Sequence, residues 1–215
     1  MKTRGHLHGE LSGWESAYES LAFTVDALGA IADDAELTKL AARVSAQLTD
    51  WEAIEADRRR LRRAVIHATA RARVADARLD VAIGAFAADL LSLVGNDAEH
   101  ATYKRYFTEP HEDIIALGLD SELPMVTLIL HALDGTTDAP EKLLNHRAPL
   151  RAALQLGNGS LAGRSDALAD LGRHSARIDA WRESAEATLR SLHRALSRVA
   201  EERKHPAPWV ESFFG

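Results

Sequence analysis

Apolar residues near the start of the chain recur at alternating steps of three and four, which is the spacing of one helix face. Ser12 and Glu15 have the spacing of a capping box, in which each side chain bonds to the other residue's backbone N–H. The pattern predicts a first helix that begins at residue 12, after a flexible N-terminus at residues 1–11. The apolar stripe consists of Leu11, Trp14, Tyr18, Leu21, Val25, Leu28 and Ala32.

A seven-residue repeat from Leu37 to Leu93 is the strongest pattern in the chain. Fourteen of its 17 repeat positions are apolar, and no Pro interrupts residues 36–94. A continuous helix over this stretch would be roughly 88 Å long at the usual rise per residue. The repeat therefore predicts one long helix that pairs with another along its length.

A second long periodic segment, residues 161–203, follows a Gly-rich stretch that predicts a turn with Ser160 as the next N-cap. Between the two segments, Pro124 predicts a helix boundary and Pro149 a kink or split. We expect the two long segments to pair antiparallel. This pairing would place Leu40 and Val44 beside Leu196 and Val199, and Leu79 and Phe86 beside Leu168 and Leu171.

These patterns predict an all-α protein. The expected architecture is an elongated antiparallel helical hairpin, or coiled-coil stalk, with a small helical head, and a compact helical bundle is the alternative. The predicted segments are the N-terminus (1–11), the N-terminal helix and long stalk helix (12–94), the head (95–160), the return stalk helix (161–204) and an aromatic tail (205–215).

Composition narrows the class further. Apolar residues make up 46% of the chain, which excludes global disorder, and the chain has no Cys, which excludes disulfides and thiolate chemistry. No apolar run is long enough for a membrane span, and the start of the chain lacks the apolar core of a secretory signal. We therefore expect a cytoplasmic protein without a membrane span.

A basic stretch interrupts an otherwise acidic chain. The net charge is −6, yet residues 58–78 hold eight Arg and a single Asp. This zone is a candidate surface for an acidic partner protein, an acidic lipid surface or a nucleic acid, and the alternative is pairing with acidic segments of the same chain or of a second copy. The candidate interaction residues in it are Arg58, Arg59, Arg60, Arg62 and Arg63.

The C-terminal tail carries three large aromatic residues after two Pro residues. Trp209, Phe213 and Phe214 would either pack on the helices or serve as a short ligand for a groove in a partner. We expect packing, because exposed aromatic side chains promote aggregation.

The catalytic and metal-binding motifs considered for a helical protein are absent or incomplete in this sequence. A di-metal carboxylate bundle needs Glu-x-x-His on each of two helices, and the chain does not supply two; the His-Glu-x-x-His and Gly-x-Ser-x-Gly motifs are absent. Residues 111–113, His-Glu-Asp, suit a solvated helix start, and Glu15 with Glu19 suits a solvated face. The glycines at 157, 159 and 163 lack the ending of a nucleotide loop. We therefore expect no catalytic residue, no cofactor and no metal.

The function expected from these features is that of a non-catalytic scaffold, adaptor or assembly protein. Its partner would be another protein, including a second copy of the chain. An anionic polymer such as nucleic acid, bound through Arg58–Arg78, is the alternative, although the acidic total charge argues against nucleic acid. A helical-bundle enzyme with a site in the acidic head is the third possibility.

Overall fold

The computed structural model describes residues 13–31, 33–136, 138–206 and 208–215, and in these residues the regular structure is entirely helical. The predicted all-α class is therefore confirmed. The expected N-terminal segment 1–11 and the capping residue Ser12 lie outside the described residues. In chain order the helices are α1 (Gly13–Gly29), α2 (Ala35–Leu93), α3 (Ala101–Lys104), α4 (His111–Ile115), α5 (Leu119–Gly135), α6 (Glu141–Leu144), α7 (Arg147–Arg203) and α8 (Pro208–Glu211).

Helix α2 begins and ends where its local sequence provides caps. The Asp34 carboxylate accepts hydrogen bonds from the backbone N–H of Glu36 at 2.9 Å and of Leu37 at 3.3 Å. At the other end Gly95 and Asn96 adopt positive φ, and the Asn96 N–H donates to the Leu91 carbonyl at 2.8 Å. These caps explain why the predicted boundaries of this helix agree with the structure to within one residue.

The predicted turn before Ser160 is wrong, because α7 runs through it without a break. Gly157 is helical and lets α5 approach closely: a Cβ placed there would lie 2.6 Å from Leu123 Cδ2. Ser160 is buried in the middle of α7 rather than capping its start. Pro149 lies in the first turn of α7, where the missing N–H costs no helical hydrogen bond, and Pro124 lies inside α5.

The chain divides into two compact units, and the first comprises the described residues up to Arg60 together with Leu171–Gly215. Contacts between α2 and α7 show that the two helices run antiparallel in this unit, because Asp34 pairs with Arg203, Gln47 with Trp181 and Ile54 with His174, so later positions of α2 meet earlier positions of α7. The Gln47–Trp181 and Ile54–His174 hydrogen bonds are each 3.0 Å long. Leu40, Val44 and Leu196 belong to one core cluster of this unit and Val199 is also buried, while their direct pairing stays a prediction.

The second unit comprises Leu61–Asp170 and contains the rest of α2, helices α3 to α6 and the start of α7. Its core includes Leu79 and Phe86 together with Leu150 and Ala153. The predicted neighbour Leu168 is instead 48% exposed. The predicted partners of Leu79 and Phe86 are wrong because α7 begins at Arg147, well before the predicted start. Residues of its first turns, Leu150 and Ala153, therefore share the core with this part of α2.

No helix among the described parts of the chain combines the length and the apolarity that crossing a membrane requires. The stalk-and-head organisation and its five segments remain predictions.

Candidate metal site

Two carboxylates of the second unit project from one side of α2. Asp76 and Asp80 are four residues apart, so they lie one above the other on the helix surface. Ala75 and Leu79 next to them face the core and are fully buried. The two Asp side chains therefore lie at the edge of the buried face and are half-buried.

A third carboxylate comes from the first part of α5. Gly118 precedes this helix with a φ of 82°, a backbone conformation that glycine adopts without strain, and its N–H donates to Glu122 Oε1 at 3.1 Å. The Glu122 side chain is completely buried. Leu123 beside it packs against Gly157 of α7, which fixes the start of α5 in place.

The three side chains converge. One carboxylate oxygen from each of Asp76, Asp80 and Glu122 can be chosen so that all three lie within 4.8 Å of one another. Asp76 Oδ1, Asp80 Oδ1 and Glu122 Oε2 are buried, and no donor outside the cluster among the described residues bonds to any of them, whereas a proton on Glu122 can be shared with Asp80. A buried carboxylate oxygen without a hydrogen bond is costly, so this arrangement favours a bound proton or cation.

Burial and mutual repulsion change the protonation of this cluster. Burial, followed by the charges of Asp80 and Asp76, raises the pKa of Glu122 to about 7. The pKa of Asp80 is also raised, first by burial and then by the charge of Asp76. Without a cation, Glu122 therefore carries a proton at mildly acidic pH, which removes part of the repulsion.

Carboxylate oxygens are the preferred ligands of hard divalent cations such as Mg²⁺, Mn²⁺ and Ca²⁺. A cation would offset the repulsion among the three carboxylates and satisfy their unpaired oxygens together. The cluster contains no His, so its donor set does not favour Zn²⁺.

A cavity of about 310 Å³ adjoins the carboxylate cluster within the second unit. Asp76 belongs both to the cluster and to the cavity wall, and Gly118, which holds Glu122, also lines the cavity. Arg73 of α2 and Arg164 of α7 contribute two guanidinium groups to the same wall.

The Arg residues predicted as an interaction surface have different environments. In the first unit, Arg58 pairs with Glu55 and Arg60 with Asp57, each at 3.1 Å and each within α2. Arg59 of that unit is exposed, and so are two residues of the second unit, Arg62 and Arg63. Pairing within the helix neutralises part of the positive charge, and the binding role of these residues stays a prediction.

The aromatic tail packs on the first unit, which is the outcome expected from its sequence. Phe213 is 2% exposed and lies in the core of that unit, and Trp209 and Phe214 are partly buried against it. Trp209 stacks on His205 with ring centroids 4.4 Å apart, and it meets Phe213 edge-on at 4.9 Å.

The sequence carries one local signal for the carboxylate cluster. Asp76 is the single acid in the basic stretch 58–78, and Asp80 follows at helical spacing. Glu122 could not be paired with them from sequence, because it lies on another helix more than forty residues later. The expectation of no metal site rested on the absence of His-containing motifs, and these ligand candidates are all carboxylates.

Comparison with protein-family models, with curated protein sequences and with solved structures finds no match for this chain. The fold and the site define an all-α protein with a partly buried carboxylate triad.

Proposed function

We propose that this protein is a helical divalent-cation-binding protein whose ligands are Asp76, Asp80 and Glu122. The observation that carries the proposal is the fully buried Glu122, whose Oε2 receives no hydrogen bond from a described residue outside the cluster and lies against the two Asp carboxylates. The proposal differs from the third function expected from sequence, an enzyme with a site in the acidic head, because it assigns no reaction and because two of the three carboxylates come from α2.

The chemistry of the site favours Mg²⁺ or Mn²⁺ over a softer metal. Mg²⁺ is commonly held by one or two carboxylates and keeps several waters, which suits a site at the edge of a cavity. Half-buried Asp76 and Asp80 leave one side of the cluster open to such waters.

Titration with Mn²⁺, followed by the loss of the aqueous ion's electron paramagnetic resonance signal, tests the proposal directly. We expect saturable binding by the native chain, and we expect Asp80→Asn and Glu122→Gln to weaken it roughly tenfold or more. Asp113→Asn is the matched control, because Asp113 is an exposed acid of the same unit. Circular dichroism confirms that each variant remains helical.

Two results would contradict the proposal. The first is absence of saturable Mn²⁺ binding by the native chain at millimolar metal. The second is an equal loss of binding in the Asp113→Asn control, which would indicate nonspecific attraction to surface acids. Competition of Mn²⁺ by Mg²⁺ but not by monovalent salt would support a coordinated ion.

A second candidate function, protein–protein contact, is favoured by exposed apolar residues on α2 of the second unit. Ile66, Val74 and Val81 are 69%, 55% and 72% exposed, and their spacing of eight and seven residues places them on one side of the helix. We propose a second copy of the chain as the partner, because Ile66 and Val74 lie within the basic stretch 58–78, whose charge an acidic segment of a second copy would complement.

Sedimentation across protein concentration tests the second candidate. We expect self-association of the native chain that weakens at high salt and is lost in the double variant Ile66→Ser, Val81→Ser. Leu128→Ser is the control, since Leu128 is 62% exposed on α5 of the same unit. A native chain that stays monomeric at every concentration would contradict this candidate.

A further inference from the structure

The cavity beside the carboxylate cluster has an unusual charge pattern. Its wall carries the carboxylates of Asp76 and Asp120 together with the guanidinium groups of Arg73 and Arg164. Both Arg side chains are exposed. These two cations are therefore accessible to a ligand that enters the cavity.

A divalent cation on the cluster would change which ligands the cavity attracts. Without the cation, the negative charges of the acids near the cavity offset the positive charges of the two guanidinium groups and repel an anionic ligand. With it, the cation offsets the charge of Asp76 and its neighbours, so Arg73 and Arg164 face a wall that is no longer acidic. Guanidinium groups bind phosphate oxygens through paired, charge-assisted hydrogen bonds.

We propose that the cavity binds a small phosphate-bearing molecule as its divalent-cation complex. The cation is held by Asp76, Asp80 and Glu122, and phosphate oxygens bridge it to Arg73 and Arg164. This inference rests on the proposed function and adds the ligand class to it. Binding through one or two carboxylates and substrate phosphates is the usual arrangement for Mg²⁺ in proteins.

The size of the cavity limits the ligand. A volume of about 310 Å³ is at the lower end of small-molecule sites, which range from roughly 300 to 1,000 Å³. Leucines at 117, 119 and 161 form part of the wall, so one side of the cavity is apolar. A diphosphate or a small phosphate ester fits these features, and a polymer does not.

The test uses inorganic pyrophosphate as the probe and isothermal titration calorimetry as the measurement, with the full chain. Pyrophosphate is titrated into the protein with saturating Mn²⁺ and, separately, without metal; its binding to Mn²⁺ alone is measured first and subtracted. We expect pyrophosphate binding only in the presence of the metal. Inorganic phosphate in a parallel titration shows whether one phosphate group is sufficient.

Variants separate this inference from the metal site itself. We expect Arg73→Gln and Arg164→Gln each to weaken pyrophosphate binding roughly tenfold, the loss of one charge-assisted hydrogen bond, without weakening Mn²⁺ binding. Arg105→Gln is the control, because Arg105 is an exposed Arg of the same unit that does not line this cavity. Glu122→Gln should weaken the binding of both Mn²⁺ and pyrophosphate.

Each result has a distinct meaning. Mn²⁺ binding without any response to pyrophosphate would overturn this inference and leave the metal proposal intact. Pyrophosphate binding that needs no metal, or that falls equally in Arg105→Gln, would also overturn it. Absence of Mn²⁺ binding would overturn the proposed function, and this inference with it.

Discussion

Trp51 and Trp181 meet in the core of the first unit, with ring centroids 4.5 Å apart and planes inclined at 39°. The Trp181 indole N–H donates to the Gln47 carbonyl at 3.0 Å, one turn before Trp51 on α2. One side chain thus fixes the register between α2 and α7 by a ring contact and a hydrogen bond together. Trp181 is 4% exposed, so this contact lies within the core of the unit.

Truncating Trp181 should destabilise the first unit strongly. Trp181→Ala removes a large buried side chain, so we expect a loss of about 3–5 kcal/mol in the free energy of unfolding. Trp181→Phe should cost less, because it keeps a ring against Trp51 and loses the hydrogen bond to Gln47 and only part of the buried side-chain volume. Urea unfolding followed by circular dichroism measures both. Equal losses in the two variants would show that the ring contact contributes little.

Asp34 and Arg203 should make the first unit sensitive to acid. Asp34 caps α2, and its ion pair with Arg203 at the end of α7 lowers its pKa to about 2 from its usual 3.8. A lowered pKa in the folded state stabilises the fold above the unfolded pKa, and this contribution is lost as the pH falls from 3.8 toward 2.

Arg203→Gln should therefore reduce stability at neutral pH and flatten the pH dependence in that acidic window. Thermal unfolding as a function of pH measures the effect, with the exposed Arg198→Gln on the same helix as the control. If the native chain and Arg203→Gln showed the same pH profile, the ion pair would not be what lowers the pKa of Asp34.

Two glycines of α7 offer a matched pair of substitutions with opposite expected signs. A Cβ on Gly157 would lie 2.6 Å from Leu123 Cδ2, whereas a Cβ on Gly159 would meet nothing within 4 Å. Ala is favoured over Gly inside a helix by about 0.5–1 kcal/mol, so Gly159→Ala should stabilise the chain. Gly157→Ala should destabilise it by about 1–3 kcal/mol, because it displaces the start of α5.

Gly157→Ala should also weaken Mn²⁺ binding, since Leu123 neighbours Glu122 at the start of α5. Gly159→Ala should leave Mn²⁺ binding unchanged. Thermal unfolding and metal titration of the two variants are the measurements. If Gly157→Ala stabilised the chain, the Leu123 side chain would be able to adopt another rotamer without a loss of stability.

Phe213 should account for most of the stability that the tail provides. It is 2% exposed, while Phe214 next to it is only half-buried. We expect Phe213→Ala to cost about 3–5 kcal/mol, and Phe214→Ala clearly less. Chemical unfolding compares the two variants. If neither changed the unfolding free energy, the tail would be free to act as a ligand for a partner, as in the alternative interpretation of its sequence.

The sequence predicted the helices better than their contacts. The apolar repeat predicted α2 to within one residue because its ends carry local signals, Asp34 at the start and Gly95 with Asn96 at the end. The start of α7 was misplaced because the glycines near residue 157 have the composition of a turn. Their actual role depends on Leu123 of another helix, and a local pattern does not contain that information.

The polar residue Asp89 within the apolar repeat also has a role that depends on distant residues. Asp89 interrupts the apolar positions of α2, and the structure explains it by contacts with Lys142 at 3.0 Å and His146 at 2.8 Å. These partners lie more than fifty residues away in sequence. The carboxylate triad is hidden for the same reason, since only tertiary packing brings Glu122 to Asp76 and Asp80.

Glu122 connects stability, pH and metal binding in one prediction. In the metal-free protein its pKa is about 7, above its usual 4.5, so the folded chain holds a proton there that the unfolded chain has released. Stability should therefore fall as the pH rises from 4.5 to 7, the opposite direction from the Asp34 effect. Glu122→Gln places a neutral amide at this position and keeps an oxygen that can accept from the Gly118 N–H.

We expect metal-free Glu122→Gln to be more stable than the native chain at about pH 8, with the difference shrinking toward about pH 5. Saturating Mg²⁺ should raise the melting temperature of the native chain and not that of the variant, because a bound cation stabilises only a fold that binds it. Differential scanning calorimetry with and without a chelator measures both effects, with Asp113→Asn as the control. The prediction is contradicted if the metal-free variant is less stable than the native chain at alkaline pH. Glu122 would then serve chiefly to hold the start of α5, and its buried charge would not destabilise the metal-free fold.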